Sequence, residues 1–269
     1  MNKLLSTISS AILLMAGLYL SSCSDNDDIK LTGIDGRPSV LLSNGQVTAS
    51  FAYSGNQFAG IQYPDGQAAH FNYEDGEFVS ISYTPPKDVA DGHAWVHFAK
   101  TGDKTYKISH GGEPSMDIDY REEVALDANG LPIKVSFTGI FQQGANGEKQ
   151  IKEGDRYAFL TFDPATRQLL RQEILLVKYT YEYDNASGSI SHLEFPMWFL
   201  GWWYYNHVYS YDFKNVQFLN HHHNITKITS ENSEGNRSSV TYTYKYNKNN
   251  FPVSVFCDKW EDEEVGIRY

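Results

Sequence analysis

The stretch Phe51–Tyr83, FAYSGNQFAGIQYPDGQAAHFNYEDGEFVSISY, decides the fold. Aromatic residues alternate with small or polar ones, and groups rich in Gly, Asp, Asn and Pro interrupt the alternation at short intervals. A period of two places alternate side chains on one face of a half-buried strand. Asp, Asn and Gly accept the positive φ angles of tight hairpin turns, and aromatic residues suit a pleated surface. FAYSG leads into a turn at Gly55, PDG at Pro64–Gly66 makes a second, and FNYEDGEFVSI repeats the unit over Phe71–Ile81.

The same unit returns further along, in VALDANGLPIKVSF (Val124–Phe137), YTYEYDNASGSISHLEF (Tyr179–Phe195) and YTYKYNKNNFPVSVF (Tyr242–Phe256). Each reads as strand, tight turn, strand. The region Asp155–Tyr183 also admits a helix over Ala165–Leu176. A strand ending near Phe162, a turn at DPATRQ containing Pro164, and a second strand from Leu169 match the other units better. A short helix is admissible at Pro196–Tyr205, where dense aromatics hide any periodicity. The expected fold is all-β: an antiparallel meander of repeated hairpins. About twelve to sixteen strands would form a large coiled sheet or barrel-like domain that closes or covers its edges.

The first residues belong to a different class. Met1–Lys3 is a short basic start, Ala11–Leu20 (AILLMAGLYL) is apolar, and Ser21–Ser22 precede Cys23. This is the pattern of a signal peptide, too short for a comfortable membrane span. LSSC matches the lipobox of bacterial lipoprotein signals, in which the cysteine thiol takes a diacylglyceryl group; several acyl chains anchor a protein stably where one does not. Residues 1–22 are thus expected to be removed, with Cys23 the lipid-modified first residue of the mature chain. The segment after it, SDNDDIKLTG, carries Asp25, Asp27 and Asp28 and reads as a solvated tether over 23–31. The all-β repeat domain then covers 32–269, within a mature chain of roughly 245 residues that fits one large all-β domain or two smaller ones. The second cysteine, Cys257 in VSVFCDKW, has no intrachain partner once Cys23 is acylated, and is expected to be a small buried apolar residue.

Twenty-two Lys and Arg against 33 Asp and Glu give a net charge of −11. That argues against nucleic acid as a partner, which would need basic stripes, and against electrostatic adhesion to anionic lipid. The membrane contact is expected through the N-terminal lipid instead.

At this point the residues carry a resemblance. YEYDNASGSISHL and YKYNKNNFPVSV look like the YD-type β-hairpin units of Bacteroidetes lipoproteins, and the combination with the lipobox and acidic tether is similar to the DUF4595 group. The resemblance covers most of the mature chain and implies a porin-like β fold; it supplies no activity and no catalytic residue. Acidic residues directly after the acylated cysteine resemble the surface-export signal of the same bacteria. This implies an outer-membrane lipoprotein exposed at the cell surface, with the periplasmic face as the second choice. The strands lack a continuous lipid-facing alternation, so insertion of the barrel in a membrane is not expected.

Three groups could carry chemistry. Trp198, Trp202, Trp203, Tyr204 and Tyr205 form the densest aromatic cluster and are candidate ligand-binding residues, either as a stacking platform for sugar rings or as an internal plug. His221–His223 sit in sequence before NITKIT; only His221 and His223 would share a strand face, and His192, His207 or Asp212 would have to complete a metal site. A hairpin-tip loop is the simpler expectation, and no metal or cofactor is assigned. Asp117, Asp119, Glu122 and Glu123, and Glu261–Glu264, are the carboxylates a glycosidase would need in pairs; their plain reading is a solvated face. No nucleophile elbow, CxxC pair, P-loop or zinc-protease helix is visible, so no catalytic residue is assigned. The expected function is a non-catalytic binding or envelope module taking a glycan or protein ligand. The alternative is a carboxylate-dependent hydrolase acting on glycans.

Overall fold

The computed structural model describes residues 36–55, 57–87, 93–113, 118–144, 147–151, 157–193, 195–207, 217–260 and 264–269. The chain divides into two units, Met1–Leu31 and Thr32–Tyr269, and the described residues all lie in the second.

Seventeen strands follow in order: β1 (Val40–Ser43), β2 (Gln46–Ser54), β3 (Gln57–Gln62), β4 (Ala68–Glu74), β5 (Glu77–Thr84), β6 (His93–Gly102), β7 (Thr105–Glu113), β8 (Ile118–Leu126), β9 (Pro132–Gly144), β10 (Gly147–Ile151), β11 (Tyr157–Phe162), β12 (Leu169–Ile174), β13 (Val177–Tyr183), β14 (Ile225–Asn232), β15 (Arg237–Tyr246), β16 (Pro252–Cys257) and β17 (Glu264–Arg268). Among the described residues there is one α-helix, α1 (Met197–His207), between β13 and β14. Each strand from β1 to β9 pairs antiparallel with the next, as does each from β11 to β17. β1 closes on β17, with Val40 opposite Arg268. The long β9 closes the other join: its first half pairs with β11 (Ser136 opposite Tyr157) and its second half with β10 (Ile140 opposite Ile151). β10 and β11 therefore share one edge of β9, and the ring is a closed antiparallel barrel of 16 strand positions. An even number is what antiparallel closure demands, and closure removes the unpaired edges an open sheet would expose.

The sequence reading of Asp155–Tyr183 agrees with this structure. The strand ends at Phe162, DPATRQ is the turn, and β12 begins at Leu169. The turns share one chemistry. Asp127 Oδ1 accepts from the amides of Asn129 and Leu131, and Asp163 Oδ1 from those of Ala165 and Thr166. Asn232 and Asn247 do the same for their own turns. Near the end of each turn one residue takes positive φ: Gly130, Arg167, Gly235 and Asn250.

The wall is polar outside and apolar inside. The outward positions of β13 and β14 carry Lys178, Thr180, Glu182, Lys227, Thr229 and Glu231, with exposed ion pairs Lys227–Glu182 (3.2 Å) and, to β15, Arg237–Glu231 (2.7 Å). Exposed apolar side chains interrupt this: Tyr157, Phe159, Leu170, Leu175 and Leu176, together with Val47, Ile133, Tyr246 and Phe256. A lipid-facing barrel needs a continuous apolar belt, and each Lys or Arg at its midplane would cost about 2–4 kcal/mol. The described outward faces of β13 and β14 form no such belt.

Inside, the repeated aromatic-x-aromatic units have two tasks. Phe58, Phe71, Phe78 and Phe98 are buried in the core. The tyrosines clamp one hairpin to the one before it: Tyr53 Oη donates to the Pro38 carbonyl (2.5 Å), Tyr73 to Phe58 (3.0 Å), Tyr183 to Leu169 (2.8 Å) and Tyr244 to Ile225 (2.7 Å). Register shifts fall at Tyr53, Tyr73 and Tyr183, where the bulge turns the ring toward its acceptor. Burial pushes the Tyr73 phenol up to about 12, and raises those of Tyr53, Tyr183 and Tyr244 well above the ordinary tyrosine value. Folded pKa values raised above the free value of about 10 mean stability that is complete below pH 10 and is lost as pH rises beyond it. In a phenolate absorbance titration these tyrosines should ionise together with unfolding; early, reversible ionisation near pH 10 in the folded protein would contradict the clamps.

Candidate functional site

A barrel of this strand number is too wide for its own inward side chains to fill; about 16 strands leave a channel unless something occupies it. Helix α1, from the segment between β13 and β14, occupies it. The sequence MWFLGWWYYNH of α1 is apolar around its whole circumference, so it is stable only where every face is covered. Phe199 touches Phe71 and Phe78 on the wall (ring centroids 5.9 and 5.1 Å), and Phe98 contacts Trp198 and Trp202 (4.7 and 5.2 Å). Gly201 lies against β9, where an added Cβ would come within 2.6 Å of the Pro132 side chain. Asn220 and Asn224, both fully buried, stitch the returning chain to the wall. Asn220 Oδ1 accepts from the Ile225 amide (2.8 Å), and Asn224 Oδ1 from the Ser189 amide (3.1 Å).

The candidate ligand-binding aromatics are therefore interior. Trp198, Trp202, Trp203 and Tyr204 are buried, Trp202 to 2% exposure, and Tyr205 is half-buried. A sugar platform needs an open ring face. Trp202 and Trp203 have none, because hydrophobic burial on all sides is what holds α1 in the ring. The aromatic cluster forms the plug.

Glu122 also departs from expectation. Its carboxylate is not on a solvated face but inside the barrel, 5% exposed, on β8. Its Oε2 accepts from Trp202 Nε1 (2.6 Å) and Asn206 Nδ2 (3.4 Å), and lies 2.8 Å from His110 Nε2. These contacts tie the plug to the wall. Removing the carboxylate would strand the Trp202 N–H, at about 1–3 kcal/mol. Asp117 and Glu261–Glu263 lie outside the described residues, as does the side chain of Asp119; Glu264 is exposed and paired with Lys245.

The plug does not fill the barrel to its rim. At the end carrying the turns after β2, β4, β8 and β11, a cleft of about 630 Å³ remains. The start of α1 (Pro196, Met197, Trp198) forms its inner wall, Tyr73, Phe78 and Tyr106 its apolar lining, and Arg37, Gln57, Glu77, Arg167 and His192 its polar groups. Both Tyr106 and Phe78 stack on Trp198 (4.6 and 5.9 Å), so Trp198 is reached only at its edge while Tyr106 stays half-buried. Arg37 is fixed: it donates to the Gly55 carbonyl (2.6 Å) and sits over the Tyr53 ring. Gly36 before it has φ +82°, and a Cβ there would clash with His192. A second depression of about 610 Å³ lies beyond Arg167, Pro196 and Met197, which line both.

The triple histidine belongs to this rim. His221–His223 lie in bends before β14, not on a strand. His221 Nε2 donates to the Arg167 carbonyl (2.8 Å) and His223 Nδ1 to the Ala186 carbonyl (2.9 Å). Among the described residues, no three His, Cys, Asp or Glu side chains converge as a metal site would require. The side chain of His207 and all of Asp212 lie outside the described residues. Cys257 is fully buried in β16, and burial pushes its thiol up.

No family model matches the chain, and no curated protein does. Solved structures similar to it include a porin-like protein from Bacteroides vulgatus ATCC 8482, with 11% identity and a TM-score of 0.38 over 87% of this chain and 98% of that one. Another is a porin-like protein from Bacteroides uniformis ATCC 8492, with 14% identity and a TM-score of 0.36 over 86% and 96%.

Burial lowers the His221 pKa to about 4. A base whose folded pKa lies below its unfolded value of about 6.5 takes up protons first in the unfolded state, so stability falls as pH drops from 6.5 towards 4. Urea midpoints at about pH 7 and about pH 4.5 should therefore differ less for His221→Gln than for the wild type. Equal losses would remove His221 from the acid sensitivity.

Proposed function

We propose that this chain is a lipid-anchored protein of the bacterial cell envelope that binds a ligand at the mouth of a plugged barrel without transforming it. The mouth cleft carries the reading. Its volume lies within the range of about 300–1,000 Å³ usual for ligand sites, and it combines an apolar aromatic lining with a few convergent polar groups. The filled interior supports binding at a rim rather than conduction through a pore. Of the two ligand classes read from the sequence, a glycan suits a concave site of this size better than a protein surface does. The hydrolase alternative has less support: the buried Glu122 is committed to Trp202, Asn206 and His110.

The LSSC lipobox, the acidic tether and the likeness of the hairpin units to the DUF4595 group of Bacteroidetes lipoproteins support anchoring through Cys23 and display at the outer membrane, facing outward. Cys23→Ala should shift the protein from the membrane pellet to the soluble fraction of the cell; unchanged pelleting would refute the anchor. For the site, the full chain should retain glycans on an array, and Gln57→Trp, which fills the cleft from its rim, should lose them at unchanged melting temperature. Retention by the filled variant, or by neither protein, would overturn the mouth as the binding site.

A further inference from the structure

Arg167 holds an unusual position. The turns DANGL, NSEGN and NKNNF place Gly130, Gly235 and Asn250 at their positive-φ residue, types that adopt this backbone readily. DPATRQ, the turn that lines the cleft, places an arginine there, at φ 60°. Two independent contacts keep that strained backbone in place: the Asp163 carboxylate caps the turn, and His221 donates to the Arg167 carbonyl itself. Strain that the surroundings hold in place points to a demand on the side chain, since glycine would make the same turn more easily.

The demand is legible in the cleft. Arg37 lines its wall with its guanidinium fixed by Gly55, and His192 stands beside Gly36, so three basic side chains line one concavity of a protein whose net charge is −11. Glu77 is the one acidic side chain among its described lining residues. Arginine forks match carboxylates in a planar, bidentate geometry. The half-buried Tyr73 and Tyr106 offer apolar surface, and Gln57 and Glu77 offer hydroxyl partners.

We infer that the mouth cleft takes an acidic saccharide, its carboxylate held by Arg167 and its ring resting on the tyrosine lining. This rests on the mouth being the binding site and names its ligand class.

Calorimetric titration of the full chain in detergent with trigalacturonic acid and with neutral maltotriose tests it. The acidic sugar should bind at least tenfold more tightly, and its affinity should fall as salt rises from about 50 to about 500 mM. Arg167→Gly should keep or raise the melting temperature, because glycine suits the turn, yet weaken the acidic sugar tenfold or more; Arg167→Lys should fall between. A purely structural arginine would leave affinity unchanged in Arg167→Gly, and that result overturns the inference. Equal binding of both sugars, lost in Gln57→Trp, would overturn the acidic class while leaving the site intact. Binding of neither sugar, with no glycan retained on the array, would overturn both.

Discussion

Sixteen strand positions make a ring whose inward side chains cannot meet across its centre. Either water fills such a ring or the chain must supply its own filling. The interior of this wall is lined by Phe58, Phe71, Phe78 and Phe98, which water would not wet favourably, so the filling must be apolar and close-packed. Helix α1 meets that requirement. Its 11 residues span about 16 Å, the Pro196 carbonyl ahead of it accepts from the amides of Phe199 and Leu200, and it presents aromatic rings in every direction. Barrel and plug depend on each other, because α1 has no polar face on which to live outside and the wall has no core without it.

The remaining features follow from getting a helix into a closed ring. The chain leaves the wall at Tyr183 and rejoins it at Ile225, which are paired neighbours, so β13 and β14 stay adjacent across the insertion, with one register shift at Tyr183. Buried Asn220 and Asn224 satisfy backbone groups where the chain turns inward and back, and Glu122 receives the indole N–H of Trp202, which α1 would otherwise bury unpaired against the wall. The tyrosine clamps bind adjacent hairpins at the end where the plug enters. The mouth cleft is what the plug leaves unfilled at that end, so its walls are set by the core and by the rim turns together.

The local architecture was legible in the sequence because hairpins are local. Alternation in FNYEDGEFVSI and turn chemistry in DANGL and DPATRQ depend on neighbouring residues only, and the strand boundaries at Phe162 and Leu169 follow directly. The aromatic cluster was visible, but its direction was not: MWFLGWWYYNH has no amphipathic stripe, and a sequence without a stripe does not say what surrounds it. Glu122 sits in a charged run, DIDYREEV, that reads as a solvated face. Only the inward phase of β8, set by pairing with β7 and β9, puts Glu122 opposite Trp202. Arg167 had a faint signal in retrospect: DPATRQ has an arginine where sister turns have glycine or asparagine. Arg37, Tyr106 and His192 had none, since they meet only through ring closure.

Amide hydrogen exchange across α1 tests most directly whether the plug is the core of the barrel. If it is, the amides of residues 200–205 should exchange only through global unfolding, with the same protection as those of β13 and β14 and the same dependence on denaturant. Faster exchange of α1 at low denaturant, while the strands remain protected, would show a barrel that stands without its plug and would contradict the account.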